Sequence, residues 1–260
     1  MTRFIAVVSG KGGVGKTTTS INLGVALKNL GKDCIVLDGN LTTPDIALYL
    51  GVPKVPVTLN DVLEGKKSIL NATYAHASGL KVVPADISFD ALKKLSLRKL
   101  KNVLNSLKGT SEIIIMDCGA GLGPDVISVM RFADEVLIVT NPELAAVTNA
   151  LKTAKAAEEN NATVLGVVLN KVSGNDEMSI ENIETLVGKP IIATIPETDD
   201  VKKAMRARHP LVYCYPKAVV SKSFVRLASR LIGKEYETSE VVEDRVSFFG
   251  YLLRKFGLRK

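Results

Sequence analysis

Tryptophan is absent from this sequence of 260 residues, histidine occurs only twice and cysteine three times. Cys34, Cys118 and Cys214 are widely spaced and odd in number, and they form no Cys-x-x-Cys pair. That argues against a disulfide framework or a thiolate metal centre, and three reduced thiols are the expectation. His76 and His209 stand alone in the sequence and are assigned no catalytic role. No run reaches the roughly 18 uncharged apolar residues that a membrane-spanning helix needs. A charged-then-apolar leader is also missing. Thr2-Arg3-Phe4-Ile5-Ala6-Val7-Val8 enters a strand-like stretch directly, so a cytoplasmic protein is expected. Repeats and low-complexity tracts are lacking. What remains is a chain with 46% hydrophobic and 23% charged residues, ordinary for a folded domain and of a length that suits one α/β unit.

The net charge of +7 is unevenly distributed. Arg245, Arg254, Lys255, Arg259 and Lys260 fall within residues 245–260, which contain no acid, so residues 1–244 carry 29 basic residues against 27 acidic ones. Basicity therefore belongs to the tail.

Short Val- and Ile-rich runs recur at Phe4–Ser9, Asp33–Leu37, Leu80–Pro84, Ile113–Asp117, Glu135–Thr140, Val164–Asn170 and Ile191–Ile195. Such near-continuous apolar runs suit strands buried on both faces of a parallel sheet. Helical patterns at Thr18–Leu30, Phe89–Leu107, Pro142–Glu159 and Ala218–Ile232 lie between or after them. This alternation predicts a doubly wound α/β fold with a mostly parallel central sheet and helices on both faces. Ligands then gather at the carboxyl ends of the strands. Composition divides the chain into a domain over 1–233, an acidic polar linker over 234–244 and a C-terminal amphipathic helix over 245–260.

Gly10-Lys11-Gly12-Gly13-Val14-Gly15-Lys16-Thr17 fits the phosphate-loop pattern, with an expected strand before it and a helix after it. The glycines admit positive φ and let backbone amides approach phosphate oxygens. The helix beginning near Lys16 aims free N–H groups and its positive dipole end at the anion. Lys16 is expected to meet the β and γ phosphates of ATP, or the β phosphate of ADP, and Thr17, followed by Thr18, to offer its hydroxyl to Mg²⁺. Glu112-Ile113-Ile114-Ile115-Met116-Asp117 is an apolar strand ending in a carboxylate, which places Asp117 as the second magnesium residue. The glycine-rich stretch 118–123 suits a loop that senses the γ-phosphate.

With Lys11, the string Lys-Gly-Gly-Val-Gly-Lys-Thr-Thr resembles the deviant-Walker signature of the MinD/ParA family of dimerising ATPases. Asn141-Pro142-Glu143 is similar to a further family pattern. The resemblance implies an ATP-dependent homodimer in which Lys11 crosses to the partner's nucleotide. It also implies that Asn170 hydrogen-bonds adenine, with Pro196 and Glu197 flanking the base, and that an unidentified effector protein binds beside the dimer interface. At Val36-Leu37-Asp38-Gly39-Asn40 the family usually has Asp-x-Asp. Here Asp38 is kept and Asn40 stands at the second position. An amide binds a water molecule but cannot take its proton, so slow hydrolysis is expected. Asp45 is a partial substitute to consider.

On a helical wheel, Val246, Phe248, Phe249, Leu252, Leu253 and Phe256 share one half of the tail, while Arg254 and Lys255 lie on the other. This pattern suits an interfacial helix on an anionic membrane, similar to the membrane-targeting helix of MinD-type ATPases. Each basic residue near such a surface contributes about 1 kcal/mol, so one tail binds weakly and two tails on a dimer bind far better. The expected location is cytoplasmic, at the inner face of the cell membrane. A DNA-segregation ATPase is the alternative, disfavoured by the near-neutral body. An Fe–S carrier is disfavoured by the missing cysteine pair, and a nucleotide-binding scaffold with little turnover remains open.

Overall fold

The computed structural model describes residues 2–88 and 97–234. The expected tail helix and nearly all of the expected linker lie outside the described residues, as does the Phe89 end of the helix expected at Phe89–Leu107. The strands are β1 (Arg3–Ser9), β2 (Cys34–Gly39), β3 (Tyr74–Ala75), β4 (Lys81–Val83), β5 (Ile113–Ala120), β6 (Glu135–Thr140), β7 (Thr163–Val172) and β8 (Ile191–Pro196). The described helices are α1 (Lys16–Asn29), α2 (Ile46–Tyr49), α3 (Leu59–Leu63), α4 (Leu97–Ser106), α5 (Pro124–Phe132), α6 (Leu144–Glu159), α7 (Ile180–Val187), α8 (Asp199–Ala207), α9 (Leu211–Cys214) and α10 (Val219–Leu231).

All seven expected strands form, within a few residues of their expected bounds. They join in the order β3-β4-β2-β5-β1-β6-β7-β8, parallel except at the two-residue edge strand β3. The alternation along each strand supplies two cores, one on each face of the sheet. Phe4, Ala6 and Val8 of β1 join Ile114 and Met116 of β5 under α5 and α6, while Ile5, Val7 and Ile115 pack with α1 and α10 on the opposite face. The double burial explains why these runs are apolar throughout rather than alternating.

The chain reverses its direction of travel across the sheet at β1, so the loops after β1 and β5 open a crevice there. Asp117 pairs in register with Val7 on one side and with Asp38 on the other. The two carboxylates thus meet on neighbouring central strands although 79 positions separate them in the chain. Among the described residues no helix is long and apolar enough to cross a membrane, and all three cysteines are free.

The two histidines, isolated in the sequence, meet in space. His76 follows β3 and His209 lies between α8 and α9. The Ser78 N–H donates to His76 Nδ1 (3.1 Å), so neutral His76 keeps its proton on Nε2 and donates to His209 Nδ1 at 3.2 Å. Tyr213 packs edge-on to both rings. Desolvation, then the neighbouring His209, holds His76 below the ordinary value of 6.5. Between its folded and unfolded values, the unfolded chain binds more protons than the native protein. This stabilisation is therefore present above pH 6.5 and is lost as the pH falls through the lower folded value. His76→Gln should flatten the fall in Tm between pH 8 and pH 5.5, as measured by circular dichroism. An unchanged slope would remove His76 as its source.

Candidate nucleotide site

The loop from Gly10 to Gly15 leaves β1 and delivers the chain to α1 in a left-handed turn. Gly13 (φ 77°) and Gly15 (φ 95°) lie where a side chain would be strained. Gly10 is required for a different reason. A Cβ there would lie 2.5 Å from the Asn149 carbonyl oxygen of α6. Two residues brace the loop from behind. Asn170 Nδ2 donates to the Val14 carbonyl (2.7 Å), and Lys171 Nζ donates to the Gly13 carbonyl (2.8 Å). Directing these carbonyls at β7 leaves the loop amides for an anion. Asn170, expected at the base, has its amide nitrogen on the phosphate loop, and Lys171, which adopts positive φ (59°), is an addition that the motif did not reveal.

Lys16 opens α1 and is 9% exposed. Thr17 Oγ1 donates to Asp117 Oδ2 (2.6 Å), and Ser20, one turn along the same helix face, donates to Oδ1 (2.8 Å). The expected pair Thr17 and Asp117 is therefore assembled, with Ser20 as an unforeseen third member. Burial pushes the Asp117 carboxyl up to about 6, against the Thr17 and Ser20 hydrogen bonds and the Lys16 charge that lower it. Hard oxygens on Thr17 and Asp117 fit Mg²⁺, which is usually held by one or two protein oxygens together with phosphates and water. Among the described residues no cluster of three or more His, Cys, Asp or Glu competes for a metal.

Asp38 is fully buried and accepts N–H bonds from Asn40 (3.2 Å), Asp45 (3.1 Å) and Ile46 (3.1 Å). Desolvation first, and then the Asp117 charge, raises its pKa well above the ordinary range; the backbone donors oppose the rise. Asn40 closes a turn on Thr43: its Oδ1 accepts the Thr43 N–H (3.2 Å), and its Nδ2 donates to the Thr43 carbonyl. Asp45 faces the cavity, where desolvation raises its pKa and Lys16 opposes the rise.

A cavity of about 490 Å³ extends from Lys16 and Thr17 past Asn170 to Pro196, Glu197 and Thr198. Thr198 lines the far end of this cavity, and its buried hydroxyl has no hydrogen-bond partner among the described residues. A second cavity, of about 540 Å³ near Thr2, Phe4 and Lys108, lies at the opposite ends of β1 and β5. It is remote from the phosphate loop. Of the two loop lysines, Lys16 turns into its own site and Lys11 turns away, ion-paired with Glu143 at 2.7 Å on the exposed rim.

A family model described as the CobQ/CobB/MinD/ParA nucleotide-binding domain matches residues 5–211. An uncharacterized ATP-binding protein of Methanocaldococcus jannaschii is 37% identical over 257 residues, covering 98% of this chain and 97% of that one. The structure superposes on the cell division ATPase MinD of Pyrococcus furiosus with a TM-score of 0.85 at 36% identity, covering 90% and 99% of the two chains. The septum site-determining protein MinD of Pyrococcus horikoshii, complexed with Mg-ADP, gives 0.84 at 35% identity, covering 89% and 96%. The chain belongs to the CobQ/CobB/MinD/ParA family of nucleotide-binding proteins and carries its MinD/ParA-type P-loop ATPase fold.

Proposed function

We propose that this protein is a slow, ATP-dependent dimerising switch that binds an anionic membrane through residues 245–260 and positions a partner there. The observation that carries the reading is the division of labour between two lysines of one loop. Lys16 is buried beside Thr17 and Asp117, where Mg-ATP or Mg-ADP fits, while Lys11 is held outward by Glu143. A cation at that rim is available to the nucleotide of a second copy. Exposed Leu122 and Leu144 at the same end of the sheet provide apolar contact area beside it. The MinD relative complexed with Mg-ADP supports the same choice of nucleotide and metal.

The membrane arm of the proposal rests on the tail sequence. Two weakly binding tails on one dimer act at high effective concentration, so nucleotide state sets membrane residence. Sedimentation with anionic liposomes tests it. The full chain should pellet in ATP more than in ADP, and the chain shortened to residues 1–244 should not pellet in either. Lys11→Ala should abolish the ATP-induced dimer in light scattering while leaving ADP affinity within about threefold. A dimer that persists without Lys11, or full chain that stays in the supernatant, would overturn the corresponding arm.

One observation favours a second reading, nonspecific DNA binding. Residues 201–234 contain nine lysines and arginines and no acid, a segregation hidden by the neutral total. Lys202, Lys203 and Arg206 are exposed on α8, and Arg226 and Arg230 on α10. A steep salt-dependent DNA gel shift with the shortened chain would move this reading ahead.

A further inference from the structure

ATP hydrolysis needs a group that orients the attacking water and a base that accepts its proton. Four aspartates lie on or just after the carboxyl ends of β2 and β5, and three are committed. Asp38 is buried under three backbone N–H groups, Asp117 is held by Thr17 and Ser20, and Asp45 faces Lys16 in the nucleotide cavity. The fourth is Asp125, the second residue of α5 and half-buried at the start of that helix.

Its placement is specific. A Cβ on Gly119, two residues beyond Asp117, would lie 3.2 Å from Asn40 Oδ1 and 3.4 Å from Asp125 Oδ2. Amide and carboxylate thus flank the same narrow gap over the glycine backbone, which a Cβ would partly fill. Oδ2 also accepts a long hydrogen bond from Thr42 (3.5 Å), which joins the loop after β2 to the start of α5. No cation pairs with Asp125 among the described residues, so its charge is not neutralised locally. Asn40 is sealed into its turn with Thr43 and has no basic group to offer.

We propose that Asp125 is the general base for hydrolysis in this chain, supplying from α5 the carboxylate that position 40 lacks. The water oxygen bonds to the γ-phosphorus while the bond from that phosphorus to the β,γ-bridging oxygen breaks. The electron pair leaves with ADP. The water proton passes to Asp125 Oδ2 and then to solvent. This inference rests on the ATPase reading above.

Single-turnover hydrolysis of Mg-ATP by the full chain tests it, compared across Asp125→Asn, Asp45→Asn, Asn40→Asp and the Asn40→Asp/Asp125→Asn double variant. Nucleotide affinity and Tm are measured alongside. Asp125→Asn should slow turnover by at least about tenfold with ATP affinity within about threefold, and Asp45→Asn should cost less. In the Asn40→Asp background the same Asp125→Asn change should cost under about threefold, because the new carboxylate at position 40 faces the same gap. Three results would overturn the assignment: an unslowed Asp125→Asn, an equal loss in both backgrounds, or a loss that only tracks a lowered Tm. A wild-type chain that binds ATP but shows no turnover would overturn the ATPase reading itself, and the role of Asp125 with it.

Discussion

Gly10→Ala is expected to lower nucleotide affinity by about 10- to 100-fold. The added methyl would meet the Asn149 carbonyl oxygen at 2.5 Å, its Cβ at 2.6 Å and its carbonyl carbon at 2.8 Å, all on α6. Two of those three atoms are main chain, and no rotamer change removes them. Helix α6 cannot retreat easily, because Val147, Ala150 and Ala154 anchor it in the core. The loop must shift instead, and overpacking of this kind costs roughly 1–3 kcal/mol. Each 1.4 kcal/mol that falls on the phosphate-binding geometry is about a tenfold loss of affinity. Titration with a fluorescent ADP analogue reads the effect. Gly12→Ala is the control for the free protein, since its methyl would meet only Ala120, at 3.9 Å, and Tm should barely move. Affinity within twofold of wild type for Gly10→Ala would show that the loop tolerates the displacement.

Asn40→Asp is expected to accelerate single-turnover ATP hydrolysis by about 10- to 100-fold. General-base catalysis contributes typically about 10²–10⁴-fold, and the gain lies at or below the foot of that range because Asp125 already serves. The substitution also has a structural cost. Nδ2 of Asn40 now donates to the Thr43 carbonyl, and a carboxylate oxygen there would face an acceptor. The Thr43 N–H remains available to the other oxygen, so the turn is expected to reopen rather than unfold. The loop after β2 would become freer, and the new carboxylate would be released toward the gap over Gly119. An unchanged rate with intact ATP binding would show that position 40 does not limit hydrolysis.

The parts of the molecule that were legible in the sequence are those whose signal is local. Every central strand announced itself as an apolar run because both of its faces are covered. Tyr74–Ala75, two residues antiparallel at an edge, is too short for any period. Helices α5, α7 and α8 were not anticipated. They are short, and α8 begins at Asp199-Asp200 and is polar over most of its surface. In the site, the phosphate loop and Asp117 were visible from spacing alone. Ser20 could have been found, since it lies one turn beyond Thr17 on the same face of α1. Lys171, Thr198 and Asp125 depend on which strand lies beside which, and no window of sequence contains that order. The same holds for the meeting of His76 with His209. The reason for Gly10 also changed, from backbone freedom to the proximity of another helix. The membrane face at Phe248, Phe249, Leu252, Leu253 and Phe256 lies outside the described residues and stands as a reading of the tail alone.

The strand order has a consequence for how the protein is made. β1 is completed by Ser9, yet its partners are β5 and β6, with Arg3 beside Ile113 and Ile5 beside Glu135. β2 likewise waits for β5 on one side. At translation speeds of about 5–20 residues per second, the nascent chain therefore carries β1 unpaired, and β2 paired at most with β4, for on the order of 5–20 s before the central partner emerges. No native sheet core can close in that interval, because its middle strand is not yet synthesised. Newly made chains should thus engage a holding chaperone until residue 120 has cleared the ribosome. Ribosome-bound chains halted just before and just after that point should differ sharply in protease resistance.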